Sequence, residues 1–352
     1  MKASKYEMKG LQGLCVLAMI ALHLFCRTDY IYSPTLYLFN IPLCYYIGQF
    51  GDFCVMGFAF CSAYGHCAIL EKSPNNYYKG RVKSILQLLI TFWTVLFIFS
   101  VISILIGNGN NMPGSINTFL GNVFLYHLSY NGAWWYILTY IFLVLTSKPV
   151  IKFVYRINYI PAIILLVVIY TIAYYFRFRN PAPFNNIILD ECVRQLFLYG
   201  MTISEYCIGV LFYKYDILSK AEDVLKNHKA WKIFLILMVL LISAMGRTLF
   251  IRSLYVAPVT GMLVIICFHL FIKENRIFHF VGIHSTNMWL THMFFYEVLF
   301  TNFIFYLRYP IVIFAGMVSL TILVSKILKL IQDPLKKIVG NSFKIDVRSL
   351  YK

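Results

Sequence analysis

From Ser84 to Ile106 the chain runs for 23 residues without an aspartate, glutamate, lysine or arginine, and stretches of this kind recur along its length. A backbone that crosses the hydrocarbon of a bilayer has to satisfy its own hydrogen bonds, and a helix of about 20 apolar residues does so. Hydropathy places such helices at about 11–26, 49–70, 84–106, 133–151, 158–176, 193–213, 231–246, 253–272, 285–305 and 309–331. The expected fold class is therefore all-α, a polytopic membrane helix bundle of about ten transmembrane helices. The composition agrees: 60% of the residues are hydrophobic and 13% charged, which excludes an ordinary soluble domain. The weakly apolar stretch 119–127 is too short to cross.

A formal net charge of +17 would suit nucleic acid if it were gathered in one patch. It is not. With the N-terminus in the cytoplasm, the ten-span arrangement puts 24 of the 31 basic residues in cytoplasmic segments and 7 in outer ones, and every lysine falls inside. That asymmetry is what the positive-inside rule predicts for an even number of spans with N- and C-termini cytoplasmic. The charge encodes topology, so the expected partner is the lipid bilayer of the plasma membrane and not nucleic acid. One membrane domain is expected over 1–340, followed by a short basic cytoplasmic tail, 341–352. No small-residue cleavage site follows Phe25-Cys26-Arg27, so the first span is expected to stay attached. The nine cysteines contain no CxxC pair, although Cys26 and Cys44 share an outer loop and could bond.

Polar residues inside these spans are the candidates for function. In Leu11–Phe25, LQGLCVLAMIALHLF, Gln12 and His23 are eleven residues apart, within about 20° of three full helical turns, so they share one face roughly 16 Å apart along the axis. Gln12 stands at the cytoplasmic mouth and His23 toward the outer leaflet. A neutral imidazole there is a natural general base for a hydroxyl. Glu205 lies mid-span and must be paired, protonated or in a wet cavity. His292 and Glu297 are about 140° apart around their helix and do not share a face. Asp52 and His66, near opposite ends of the second span, read as interface groups. The outer segment Gly107–Gly132 carries no charge and is rich in Asn, Gly, Ser and Tyr, residues that hydrogen-bond hydroxylated ligands and also build turns. There is no phosphate-binding glycine loop, GxSxG elbow, HExxH or His/Cys ligand cluster.

These local patterns, taken in order, resemble the acyltransferase-3 family of integral membrane acyltransferases. Its first span opens with a basic residue and reaches a histidine after ten more residues; here the endpoint is His23, while Gln12 occupies the basic position and Lys9, one turn earlier, could reach the same mouth. FCVMGFAFCSAYG looks like the family's second span, with Ser62 and Tyr64 matching. YYKGRVKSIL is similar to the basic stretch before span three, with Lys79, Arg81 and Lys83. GAWWYILTY resembles the Trp-led fourth span, with Trp134, Trp135 and Tyr140, and NMWLTHMFFYE resembles a late span bearing a histidine, His292. LIQDPLKK looks like a closing acidic-x-Pro-x-basic motif with Gln332 at the acidic position and Asp333, Pro334 and Lys336 beyond it.

The resemblance implies O-acyl transfer, usually of acetyl, from cytoplasmic acyl-CoA to a hydroxyl of a cell-surface or exported carbohydrate. Acetyl-CoA would be a donor substrate, with no cofactor bound permanently. His23 would serve as general base or acyl carrier, with Gln12, His292 and Glu297 around it. Lys79, Arg81 and Lys83, with Ser62 and Tyr64, would hold the donor; Trp134, Trp135, Tyr140 and Glu205 would meet the acceptor. Two other readings remain open on the sequence: a transporter or flippase of a lipid-linked sugar, which would want broken helices near the midplane, and a non-catalytic family member, consistent with uncharged Gln12 and Gln332.

Overall fold

The computed structural model describes residues 2–27, 29, 31–179, 184, 186–225, 231–239 and 255–342. Helix α1 (Lys5–Phe25) starts at an N-cap: the Ser4 hydroxyl accepts the Glu7 amide at 3.1 Å, while the Glu7 carboxylate pairs with His269 Nδ1 at 2.6 Å. Helix α2 (Leu43–Phe50), a 3₁₀ turn (Gly51–Phe53) and α3 (Cys54–Lys72) form a nearly continuous rod. There follow α4 (Tyr77–Leu105), the short α5 (Ile116–Val123), α6 (Trp135–Arg156), α7 (Tyr159–Tyr174), α8 (Ile187–Tyr215) and α9 (Ile217–Leu225). Residues 231–239 are helical (α10), and α11 (Val256–Phe271), α12 (Arg276–Met293), α13 (Thr301–Phe305) and α14 (Pro310–Ser342) complete the chain. Among the described residues the strand content is one two-residue hairpin, Tyr37–Leu38 against Ile41–Pro42.

Among the described residues, seven helical segments are long and apolar enough to cross a bilayer, and α11 is a shorter apolar helix. The chain is an all-α, multi-pass bundle. Several boundaries differ from those expected. The third helix begins at Tyr77, the ninth at Arg276, and the last continues through Pro334 to Ser342. Hydropathy loses a helix where its turns become polar, but the backbone ladder continues to a cap: Asn275 accepts from the amides of Ile277 and Phe278 and so sets the start of α12. The expected span 285–305 ends early as well, because α12 passes into a π turn at Phe294–Val298 before α13. The expected span 231–246 and the tail 341–352 lie partly outside the described residues. No disulfide joins Cys26 and Cys44, and the Cys26 sulfur accepts from the Gln49 amide.

One helix pair positions everything that follows. Helices α1 and α12 run parallel and in register: Gly10 faces His279, Gly13 faces Gly282 and His23 meets His292, each pair 269 residues apart in sequence. At Gly13 and Gly282 the two backbones touch. A Cβ on Gly13 would lie 2.8 Å from the Gly282 nitrogen, with the Phe278 carbonyl oxygen nearer still, and a Cβ on Gly282 would meet the Lys9 carbonyl. Only glycine permits this approach. Helix α3 packs along α1, α8 and α11, and α14 lies against α12 and α4, which leaves an open interior between α1, α3, α4, α6, α12 and α14.

Candidate active site

His23 and His292 stand near the ends of these parallel helices, about 15 Å beyond the glycine contact at 1.5 Å per residue. The hydrogen bonds fix their tautomers. His292 Nδ1 lies 2.8 Å from the Trp289 carbonyl oxygen, which can only accept, so Nδ1 carries the proton. In a neutral ring, His292 Nε2 is then an acceptor, and His23 Nδ1, 2.6 Å away, donates to it. His23 Nε2 is left with its lone pair free. The two rings are nearly parallel, 6° apart, and Tyr296 flanks both. His292 is buried and His23 half-buried on the wall of a cavity.

Trp289, the residue that orients His292, is itself clasped. Its indole donates to the Ala133 carbonyl at 2.9 Å, while Trp134 and Asn131 both donate to the Leu290 carbonyl at 3.0 and 3.1 Å. Neighbouring aromatic rings of Phe92 and Phe294 pack edge-on against Trp134. The start of α6 is thereby tied to the last turn of α12 by bonds that a side chain of any other shape would leave unmade.

The cavity has a volume of about 510 Å³. Its wall at the outer end is made by His23, Asp52, Trp135, Tyr136, Tyr140 and Trp289; toward the lysine-rich, inner end it is made by Gln12, Ser84, Gln87, Asn287, Lys329 and Lys336. Gln12 and His23 do share one polar face, as their spacing requires. Lys9 donates to the Gln12 amide oxygen at 2.9 Å, so the lysine one turn earlier does reach the same mouth. No group of His, Cys, Asp and Glu among the described residues is arranged to hold a metal ion.

Of the residues singled out from sequence, His23, Gln12, Ser62, Trp135 and Tyr140 line this cavity, and His292 stands directly behind His23. Others do not. Trp134 is fully buried in the clasp, and Tyr64 is buried with its hydroxyl accepting the Ala3 amide at 3.1 Å. Lys79 is exposed, and Arg81 and Lys83 are half-buried, beside the inner mouth but off its wall. Glu297 is exposed on the π turn. Glu205 is buried off the cavity wall, and one of its carboxylate oxygens has no hydrogen-bond partner among the described residues. Asp52, read as an interface group, projects into the cavity, whereas His66 is buried and bonded to the Tyr206 hydroxyl at 2.9 Å. Gln332 is fully buried and exchanges two amide hydrogen bonds with Asn287, at 2.9 and 3.0 Å, so its neutral side chain is satisfied where it stands. Lys329, Lys336, Asn287, Gln87 and Trp289 were not singled out as site residues. A signal existed for the lysines, seven residues apart and so nearly on one helix face, and for Trp289, one turn before His292.

The fold and this site define a multi-pass membrane protein whose interior cavity joins a cationic end to a histidine pair. The family model described as an acyltransferase domain matches residues 5–329, and the chain belongs to that family, the acyltransferase-3 family. It is thus a membrane acyltransferase in the general sense of that family. No curated protein and no solved structure matches it.

Proposed function

We propose that this protein moves an acyl group, acetyl in the first instance, from acyl-CoA at the cytoplasmic face to a hydroxyl of a carbohydrate at or beyond the outer face of the plasma membrane, with His23 as general base. The observation that carries this reading is the continuity of one cavity from Lys329 and Lys336 to His23, whose Nε2 is the unprotonated ring nitrogen. Two substrates arriving from opposite sides of a membrane need such a passage.

In this reading the acceptor hydroxyl gives its proton to His23 Nε2 as its oxygen bonds to the thioester carbonyl carbon. The carbon–sulfur bond then breaks, and the leaving thiolate takes the proton back from the His23 imidazolium. The products are an ester and free CoA thiol, with the histidine returned to its starting tautomer. His292 accepts throughout from His23 Nδ1 and so keeps Nε2 aimed at the cavity, a positioning role. Trp135 and Tyr140 offer flat faces to a sugar ring, and Asp52, for which no hydrogen bond is formed among the described residues, offers acceptors to its hydroxyls.

The test compares ester-linked acyl groups on surface carbohydrate from cells carrying the intact protein, His23→Ala or no protein, with membrane expression checked in each. Acyl groups present only with the intact protein are the expected result. If His23→Ala matches the intact protein, the histidine is structural, and if all three agree, acyl transfer to surface carbohydrate is wrong.

A further inference from the structure

The inner end of the cavity holds cations that form no ion pair within 4.0 Å among the described residues; Asp333, exposed on the same helix, acts on Lys329 and Lys336 only from beyond that distance. Lys329 and Lys336 are two turns apart on α14, less about 20°, so both project from one face, and both line the cavity. Across the mouth, the Lys83 side chain runs against Gly340, one turn beyond Lys336. The Lys9 ammonium is held at Gln12, and that of Lys329 at the Ile283 carbonyl, 3.1 Å away. Arg81 carries a buried Nε with no acceptor among the described residues. Every ion pair among the described residues lies elsewhere: none of Lys9, Arg81, Lys83, Lys329 and Lys336 has a carboxylate within 4.0 Å.

Half-buried cations converging on one cavity mouth repel one another and lose hydration, an arrangement that costs stability unless an anion completes it. Positive-inside topology explains basic residues facing the cytosol. It does not explain two that turn inward to an internal wall, when Lys326 and Lys337 on the same helix face outward.

We propose that Lys329 and Lys336 form the polyphosphate subsite of the acyl donor, and that Lys79, exposed in the first turn of α4, is not part of it. This rests on the acyl-transfer reading for the identity of the donor, but the ligand chemistry, two or more phosphate groups, comes from the cation geometry. Ser84 and Gln87 line the same cavity; the Ser84 hydroxyl is engaged with the Gly80 carbonyl at 3.0 Å, so the Gln87 amide is the neutral donor there. A phosphate held there points the rest of an extended donor along the polar face of α1 toward His23.

The same phosphate chemistry could come from an anionic lipid headgroup, so the experiment separates the two. The full chain is reconstituted in nanodiscs of phosphatidylcholine, with or without phosphatidylglycerol, and titrated with free CoA and with inorganic pyrophosphate. Lys329→Gln and Lys336→Gln should each weaken CoA binding about 10- to 100-fold, pyrophosphate should compete, and phosphatidylglycerol should leave the affinity unchanged. Lys79→Gln, Lys326→Gln and Lys337→Gln should bind within about twofold of the unmodified chain, with melting temperature confirming that each is folded. His23→Ala should bind CoA normally while losing transfer. Normal binding by Lys329→Gln and Lys336→Gln, loss of binding in Lys79→Gln, displacement by phosphatidylglycerol, or no CoA binding by the folded unmodified chain would each overturn the subsite. If the lysine variants behave as expected but His23 proves dispensable on carbohydrate, the subsite stands and the catalytic reading falls.

Discussion

A single methyl group at the α1–α12 crossing should damage a histidine pair ten residues away. In Gly13→Ala the new Cβ would stand 2.8 Å from the Gly282 nitrogen and nearer still to the Phe278 carbonyl; in Gly282→Ala it would meet the Lys9 carbonyl. Contacts under 3.0 Å are not tolerated by real Cβ atoms, and all of these partners are backbone, so no side chain can rotate away. The helices must separate by about 1 Å, within the range that interface side chains impose on interaxial distance. Overpacking of this kind costs about 1–3 kcal/mol. The same separation carried along two parallel rods would stretch the His23–His292 bond from 2.6 Å beyond the 3.5 Å at which it ceases to act as one. Both variants should therefore melt several degrees lower and lose transfer per folded molecule by at least about tenfold, since a mispositioned base forfeits much of its catalytic factor. The controls are Gly65→Ala in α3 and Gly80→Ala in α4, where a Cβ meets nothing within 4 Å. Those should be neutral or stabilising by up to about 1 kcal/mol, because alanine is the better helix former. Thermal unfolding of the purified protein, with CoA thiol release as the activity assay, measures both effects. If Gly13→Ala melts and transfers like Gly65→Ala, the close register of α1 and α12 does not hold the pair. If it melts low but transfers normally, the register holds the fold and not the site.

His292→Leu leaves the His23 Nδ1 proton without an acceptor and releases the tautomer, so transfer should fall about 10²- to 10⁴-fold, whereas His292→Gln, which can still accept, should retain more; equal losses in the two would refute the positioning role. Trp289→Phe keeps the ring packing but drops the bond to the Ala133 carbonyl, and a loss of about 1 kcal/mol in thermal unfolding is expected. Gln332→Leu strands the Asn287 amide oxygen in a buried site, the nitrogen keeping its bond to the Ser325 hydroxyl, and should cost about 1–3 kcal/mol, checked the same way. Outside the spans, the Lys273 ammonium donating to Glu222 at 2.8 Å holds that carboxyl below its ordinary range. A depressed carboxyl stabilises the fold above its unfolded value and loses that contribution as pH falls through the lower folded value. Glu222→Gln should accordingly flatten the acid side of a stability-versus-pH curve below about pH 4.5, leaving neutral pH little changed.

The apolar runs made the all-α bundle legible because a bilayer admits few other backbones, and His23 was legible because an imidazole closing an apolar helix has to face something polar. The helix ends were not. Tyr77–Lys83, Arg276–His279 and Leu335–Ser342 are helical yet polar enough to fall out of a hydropathy window, and only capping and packing decide them. Trp134 and Trp135 are neighbours that turn to opposite sides, one into the clasp and one onto the cavity, a choice made by α12 and invisible in either residue. His292 could be nominated but not paired, because the offset of 269 residues is a tertiary fact. Lys329 and Lys336 carried their meaning in a count of basic residues, where a topological signal hides a local one.

The same offset also explains how the two ends of the cavity are kept in proportion. Gln12 and His23 are on α1; Ile283, whose carbonyl holds Lys329, and His292 are on α12. Because the helices are parallel and locked at Gly13 and Gly282, the span between the anchored lysine and the free His23 Nε2 is set by helix rise and not by loop conformation. A donor gripped by its phosphates at one end then presents its acyl carbon at a reproducible depth. Lengthening α1 alone by one residue between Gly13 and His23 would turn His23 about 100° off the cavity face, and lengthening α12 alone between Gly282 and His292 would do the same to its partner. Four residues, slightly more than one turn, restore the face but add about 6 Å of depth. If phosphate-end binding and base position are coupled as the geometry requires, matched four-residue insertions in both helices should keep CoA binding while transfer fails, and transfer that survives them would show that the donor is not measured by these two helices.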